Sequence, residues 1–212
     1  MPTEMAVLTL AQWFSPAYPI GSFAYSHGLE WAIETGDVHD SATLCAWVRD
    51  VLEFGSGRND ALFLAAAYGS DDPGQVNDIC RAFAPSKERL KETDLQGAAF
   101  GEITSAIWGH DLPPMAYPVA VGWAARLDEL PLSLTSQMYL QSFASALISV
   151  GMRLIPLGQR KGHTLIQSLA PLCGRISEQT AHGDLDALSA TAFLPDIASM
   201  KHETQYSKVF RT

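Results

Sequence analysis

Leu44-Cys45-Ala46-Trp47-Val48-Arg49-Asp50-Val51-Leu52 carries its apolar side chains at i, i+3, i+4, i+7 and i+8. That spacing fits the turn of an α-helix with one face on a core, not the alternation that a half-buried strand requires. The same stripe returns at Leu165, Ile166, Leu169, Leu172, Cys173 and Ile176. Alternating runs of β-branched and aromatic residues are nearly absent. The one short candidate, Val119 to Val121, follows Pro118 and leads into Ala124-Ala125-Arg126-Leu127, a helical composition. With no strands to build a sheet, the pattern predicts an all-α fold, a single-domain helical bundle.

Outward from these stripes, the chain is punctuated at Ser15-Pro16, Pro19-Ile20-Gly21, Gly55 to Gly57, Asp71-Asp72-Pro73, Ala84-Pro85, Leu112-Pro113-Pro114, Pro156-Leu157-Gly158, His182-Gly183-Asp184 and Pro195. These breaks divide it into about eight to ten helices. One of them is expected from about Ser22 to Glu34, with Gly28 allowing close packing inside it. Ser133 to Ile155 mixes Tyr139, Leu140, Phe143 and Leu147 with Ala144, Ser145, Ser149 and Gly151, which suits the centre of the bundle or a self-association surface. Lys201 to Thr212 loses the apolar spacing. The organisation predicted is a helical body, 1–200, followed by a tail, 201–212, frayed or loosely packed in the chain alone.

Of 212 residues, 47% are hydrophobic and 17% charged, enough apolar material for one sizeable core. A net charge of −9 argues against a nucleic-acid or anionic-membrane binder. Acid is unevenly placed: none lies between Leu130 and Ser177, where Arg153, Arg160, Lys161 and Arg175 occur. Cys45, Cys80 and Cys173 are odd in number and far apart, so no disulfide framework is indicated and a reducing compartment fits. The N-terminus lacks a basic n-region and a long apolar h-region, and Phe143 to Leu157 is too short and interrupted to span a bilayer. A soluble, cytoplasmic protein is expected.

The motifs that would carry chemistry are incomplete. Gly158-Gln159-Arg160-Lys161-Gly162-His163 lacks both the Gly-Lys-Ser/Thr ending and the preceding strand of a phosphate-binding loop. Ala24-Tyr25-Ser26-His27-Gly28 is one residue from a nucleophile elbow but has no sheet to stand on. No Cys-x-x-Cys, His-x-x-x-His or Glu-x-x-His pair sets metal ligands on one helical face. His27 with Glu30, and Met200 with His202, are weak metal candidates. Gln159 and Lys161 lie in a basic turn that opens a helix against its dipole, a placement suited to a partner's carboxylates. Tyr206, Phe210 and Arg211 are residue types of interface anchors.

Ser15-Pro16-Ala17-Tyr18-Pro19-Ile20-Gly21-Ser22-Phe23-Ala24-Tyr25-Ser26-His27-Gly28-Leu29-Glu30 resembles the opening signature of the UreF urease accessory proteins. Pro156-Leu157-Gly158-Gln159 and the ending His202-Glu203-Thr204-Gln205-Tyr206-Ser207-Lys208-Val209-Phe210-Arg211-Thr212 resemble that family's later signatures, in the same order. Lys208, Val209 and Thr212 stand where the family usually has Arg, Leu and Ser; Lys keeps the charge but not the planar fork. The resemblance implies an all-helical, homodimeric, non-catalytic cytoplasmic protein, without a stably bound cofactor, that assists assembly of the nickel site of urease. Its implied partners are the UreD accessory protein (also called UreH), the GTPase UreG and the urease apoprotein, with GTP-dependent nickel delivery modulated by the complex. The partner-binding set is then Tyr25, His27, Glu30, Gln159, Lys161, His202, Glu203, Tyr206, Lys208, Phe210 and Arg211. The alternative kept beside it is a direct nickel-binding carrier, with His27 and His202 as ligands, or a helical enzyme.

Overall fold

Asp40 starts the helix that the first stripe predicts. Its carboxylate accepts the N–H groups of Ala42 and Thr43 at 3.0 and 2.9 Å, and the Thr43 hydroxyl accepts the Asp40 N–H at 3.0 Å, a reciprocal cap. In the computed structural model, which describes residues 3–211, this helix is α3, Ser41–Phe54, and it buries Leu44, Trp47, Val48, Val51 and Leu52. Around it stand α1 (Glu4–Trp13), α2 (Leu29–Glu34), α4 (Ser56–Gly69), α5 (Gly74–Ala82), α6 (Lys87–Trp108), α7 (Tyr117–Leu127), α8 (Leu132–Leu154), α9 (Gln159–Gln179) and α10 (Phe193–His202). Two 3-10 turns, Ser22–Ala24 and Leu185–Ala187, complete the described residues, among which there is no strand. The fold is all-α, as the periodicity requires. No helix of the described residues is long and apolar enough to cross a membrane.

The core is organised by α7 and α8. Helix α7 is buried nearly all round, from Tyr117 through Ala125, so it shows no amphipathic stripe. It lies against α4 and α6. Helix α8 packs on α9, α4, α3, α2, α7 and α1, the central place expected from its small residues. At Gly151 a methyl group would stand 2.4 Å from Leu44 Cδ2, so here the absent side chain lets α3 seat a leucine.

Helices α7 and α4 approach closely in the core. A Cβ at Gly122 would lie 2.2 Å from the Leu64 carbonyl oxygen, a backbone atom that cannot move aside. Gly122→Ala is therefore expected to cost about 1–3 kcal/mol in urea unfolding. Gly174→Ala, on α9 with nothing within 4 Å of the added methyl, should be neutral or slightly stabilising.

Two expectations need correction. The helix from Ser22 to Glu34 is broken: after the 3-10 turn, Tyr25 is extended, and His27 and Gly28 take left-handed φ of 54° and 75° before α2 begins. Gly28 does permit a close approach, but at the N-cap of α2, where a methyl group would lie 2.5 Å from the Ser199 nitrogen of α10. The division at residue 200 also fails, because α10 runs on to His202 and the chain beyond it is packed on the body. Met1, Pro2 and Thr212, at the ends of the predicted body and tail, lie outside the described residues.

Candidate functional site

The left-handed turn at His27 and Gly28 aims residues of α2 at the last helix and the C-terminal segment. The Glu30 carboxylate, 6% exposed, accepts the backbone N–H groups of Val209 (2.7 Å) and Phe210 (2.9 Å). His202, fully buried, puts Nε2 3.3 Å from the same carboxylate and Nδ1 2.7 Å from Glu88 Oε2 on α6. Lys208 donates to Glu88 Oε1 at 2.7 Å and to the Glu203 carbonyl at 3.1 Å. Gln205 donates to Glu34, the Arg211 N–H donates to the Ala24 carbonyl at 2.7 Å, and Arg153 of α8 covers the Phe210 ring at 5.8 Å. Ser86, which caps α6 through the Arg89 N–H, also meets the Ser199 hydroxyl at 2.7 Å. The segment expected to be loose is thus docked, because its polar groups find partners more than a hundred residues away.

Beneath this latch lies a buried charge cluster. Arg89, Glu92 and Gln96 line the inward stripe of α6; Arg89 is ion-paired with Glu92, and Gln96 donates to Glu92 at 2.9 Å. His27 Nε2 stands 2.8 Å from Glu92 and 2.9 Å from Arg89, with its ring edge-on to Phe143. These contacts hold the His27 backbone in a conformation that residues other than glycine seldom adopt. Burial pushes the Glu92 carboxyl up, but Arg89 and His27 outweigh it and hold it at about 2. Burial also pulls the His27 imidazole down, with Arg89 adding to the effect.

Asp60 of α4 borders the cluster from the other side and accepts the Tyr139 hydroxyl at 2.8 Å. Desolvation dominates there and raises its carboxyl to about 6, with Arg89 and Tyr139 only partly offsetting it. The folded chain therefore favours protonated Asp60, and the stability it contributes falls as the pH rises from about 4 to about 6. Asp60→Asn keeps an acceptor for Tyr139. It should raise stability at pH 7 by about 1–2 kcal/mol and leave it unchanged near pH 4, measured by urea midpoints at the two pH values.

The outward side of α10 is apolar. Phe193, Leu194, Ile197 and Met200, at i, i+1, i+4 and i+7, are each at least half exposed, and the Thr191 hydroxyl ties the start of the stripe to exposed Phe54. Tyr206 and Val209 of the C-terminal segment are exposed as well. Such a contiguous stripe is a mark of association.

The predicted site residues separate into three groups. Tyr25, His27, Glu30, His202 and Phe210 are buried and form the latch and the cluster; Glu203 and Lys208 flank them, Glu203 accepting the Lys87 N–H at 2.8 Å. Tyr206 and Arg211 are exposed at the surface of the latch. Gln159 and Lys161 are exposed in the first turn of α9, which packs on α8, α3 and α4, whereas α10 packs on α2, α6 and α3. His27 and His202 belong to different clusters, and among the described residues no three His, Cys, Asp or Glu side chains converge to hold a metal ion. Sequence reading missed Glu34, Asp60, Glu88, Arg89, Glu92 and the α10 stripe. The i, i+3, i+7 spacing of Arg89, Glu92 and Gln96 was the available signal, but charged residues at that spacing ordinarily form a solvated face.

Against known proteins, residues 38–170 match the UreF family model. A urease accessory protein UreF of Ruegeria pomeroyi is 53% identical over 214 aligned positions, covering 100% of this chain and 99% of the relative. The UreF of Roseobacter denitrificans is 49% identical, covering 98% of this chain and 94% of its own, and that of Methylobacterium radiotolerans 42%, covering 98% and 97%. The C-terminal latch lies beyond the stretch that the family model matches.

Proposed function

The chain belongs to the UreF family of urease accessory proteins, and from that premise we propose that it serves urease maturation as a non-catalytic helical scaffold. In this reading it binds UreD (UreH), recruits the GTPase UreG and docks with them on the urease apoprotein. Nickel is cargo of the complex and not a resident cofactor of this chain. The observation that carries the reading is the latch itself: buried Glu30, Glu88 and His202 fix a C-terminal segment whose outer side presents Phe193, Leu194, Ile197, Met200 and Tyr206 to a partner. Buried members of the predicted partner set act by shaping that surface, while Tyr206, Arg211 and the α10 stripe make the contacts. The basic first turn of α9, with Gln159 and Lys161, is a second face suited to a more acidic partner.

Homodimerisation is part of the same proposal. Helix α8 carries no charged residue before Arg153, and its half-buried Gln141, Ser142, Ser145 and Ser149 border a groove with Phe14, Ile20 and Phe23. An uncharged face lets two copies, each at −9, meet without like-charge repulsion.

The test is co-expression with UreD and UreG of the same organism, followed by size-exclusion chromatography with mass determination. A chain cut at residue 200 would lose buried His202 and Phe210, so substitutions at exposed sites discriminate better. Ile197→Asp with Tyr206→Ala should weaken the UreD complex at least about a hundredfold while leaving the melting temperature unchanged. An intact complex with this variant removes the proposed docking surface. Tight, stoichiometric nickel binding by the isolated chain would instead favour the carrier reading.

A further inference from the structure

We propose that the chamber between α4, α5, α6 and α10 receives a lysine or arginine side chain of the protein that docks on the α10 stripe, its cationic head meeting Asp60 and Asp196. The inference rests on the docking surface proposed above and adds the chemistry of its anchor.

The chamber has a volume of about 280 Å³. It is continuous with the stripe, because half-exposed Met200 belongs to both, and exposed Ala190 borders it. Asp60 lies at its inner end, bonded at 2.8 Å to the hydroxyl of Tyr139, a residue only 3% exposed. Phe63 and Phe83, with ring centroids 6.4 Å apart, supply an apolar wall. Another wall is pinned by Asn59, whose amide donates to the Ser189 carbonyl at 2.7 Å and whose carbonyl accepts the Ser189 N–H at 3.3 Å. The chamber is thus formed before a partner arrives, which spares the cost of ordering it on binding.

Its charges are unbalanced. Among the described residues, neither Asp60 nor Asp196 lies within ion-pair distance of a Lys, Arg or His. Arg89 also borders the chamber, but its guanidinium is ion-paired with Glu92. Burial outweighs Arg89 at both acids and holds their carboxyls above the usual range, Asp60 at about 6. A desolvated carboxylate without a cation lowers the stability of the isolated chain, and a cation at contact distance would restore it. Groups kept at such a cost are characteristic of binding sites rather than of folding.

The shape selects the kind of cation. A Lys or Arg stem can lie along the phenyl rings while its head reaches the acids, the division of apolar stem and charged head that these side chains carry. A metal ion finds a poorer set, since among the described residues no three His, Cys, Asp or Glu side chains converge, and burial keeps the Cys80 thiol protonated.

The test compares the affinity of the full-length chain and of Asp60→Asn for UreD of the same organism. Asparagine keeps an acceptor for Tyr139 and is expected to stabilise the isolated chain at neutral pH. The complex should nevertheless be weaker by about tenfold or more, and a fall in affinity beside a rise in urea midpoint is a split that a structural role for Asp60 would not produce. Lys→Met and Arg→Met substitutions on UreD are then crossed with Asp60→Asn. One of them should weaken the complex with the natural chain about tenfold and have little further effect on that with Asp60→Asn. Equal affinity of natural chain and Asp60→Asn, or additive effects at every Lys and Arg of UreD, would overturn the anchor while leaving the docking surface in place. Full affinity in the Ile197→Asp, Tyr206→Ala variant would instead remove the docking surface, and the anchor with it.

Discussion

Glu92→Gln is expected to lower the stability of the chain by about 3–5 kcal/mol at neutral pH. Glu92 is 3% exposed and is ion-paired with Arg89, itself 8% exposed, while His27 and Gln96 also contact it. Glutamine fills the same space but leaves a buried guanidinium without its counter-charge, and that desolvated charge is the cost. Because Arg89 holds the carboxyl down at about 2, the stability Glu92 gives is present above the unfolded carboxylate range and is lost as the pH falls from about 4.5 to about 2. Urea unfolding at pH 7 and pH 3 should therefore show a larger gap between natural chain and variant at the first than at the second. Arg89→Met combined with Glu92→Leu, which removes both charges, should cost less than Glu92→Gln alone. A loss below about 1 kcal/mol at pH 7 would mean that the pair is solvated in solution.

Glu30→Ala carries the second large effect. It removes the acceptor of two backbone N–H groups and one of the two carboxylates on His202, at a residue that is almost completely buried. Hydrogen bonds to a buried charge and the uncompensated groups left behind set a cost of about 3 kcal/mol. Phe210 should leave its site beneath Arg153, and limited proteolysis should cut between Gln205 and Arg211 long before the body unfolds. Were Glu30 a surface contact for a partner, its loss would spare both stability and protease resistance.

How much of this was legible beforehand depended on the range of the interactions. Helices such as α3 and α9 were readable because one face meets the core and the pattern is local. The break at His27 and Gly28 was not, since no proline marks it; only the meeting of Gly28 with Ser199 on α10 demands the left-handed turn. The C-terminal segment resembled a frayed end for the same reason. Its amides and its histidine are satisfied by Glu30 and Glu88, positions that no local pattern connects to them. Among the site residues, the family resemblance singled out Glu30, His202, Lys208 and Phe210, and the structure supplies the physical link among them. Arg89 and Glu92 went unread because buried charge is indistinguishable, in sequence, from a solvated helix face.

The central claim is that this chain acts in urease maturation through its α10 and C-terminal surface, without chemistry of its own. The most direct test replaces the gene in its own organism with the Ile197→Asp, Tyr206→Ala variant and measures urease activity and the nickel content of purified urease. The scaffold account predicts nickel-poor, nearly inactive urease from cells that contain normal amounts of the variant, folded and with an unchanged melting temperature. Full urease activity and nickel content in those cells would contradict it.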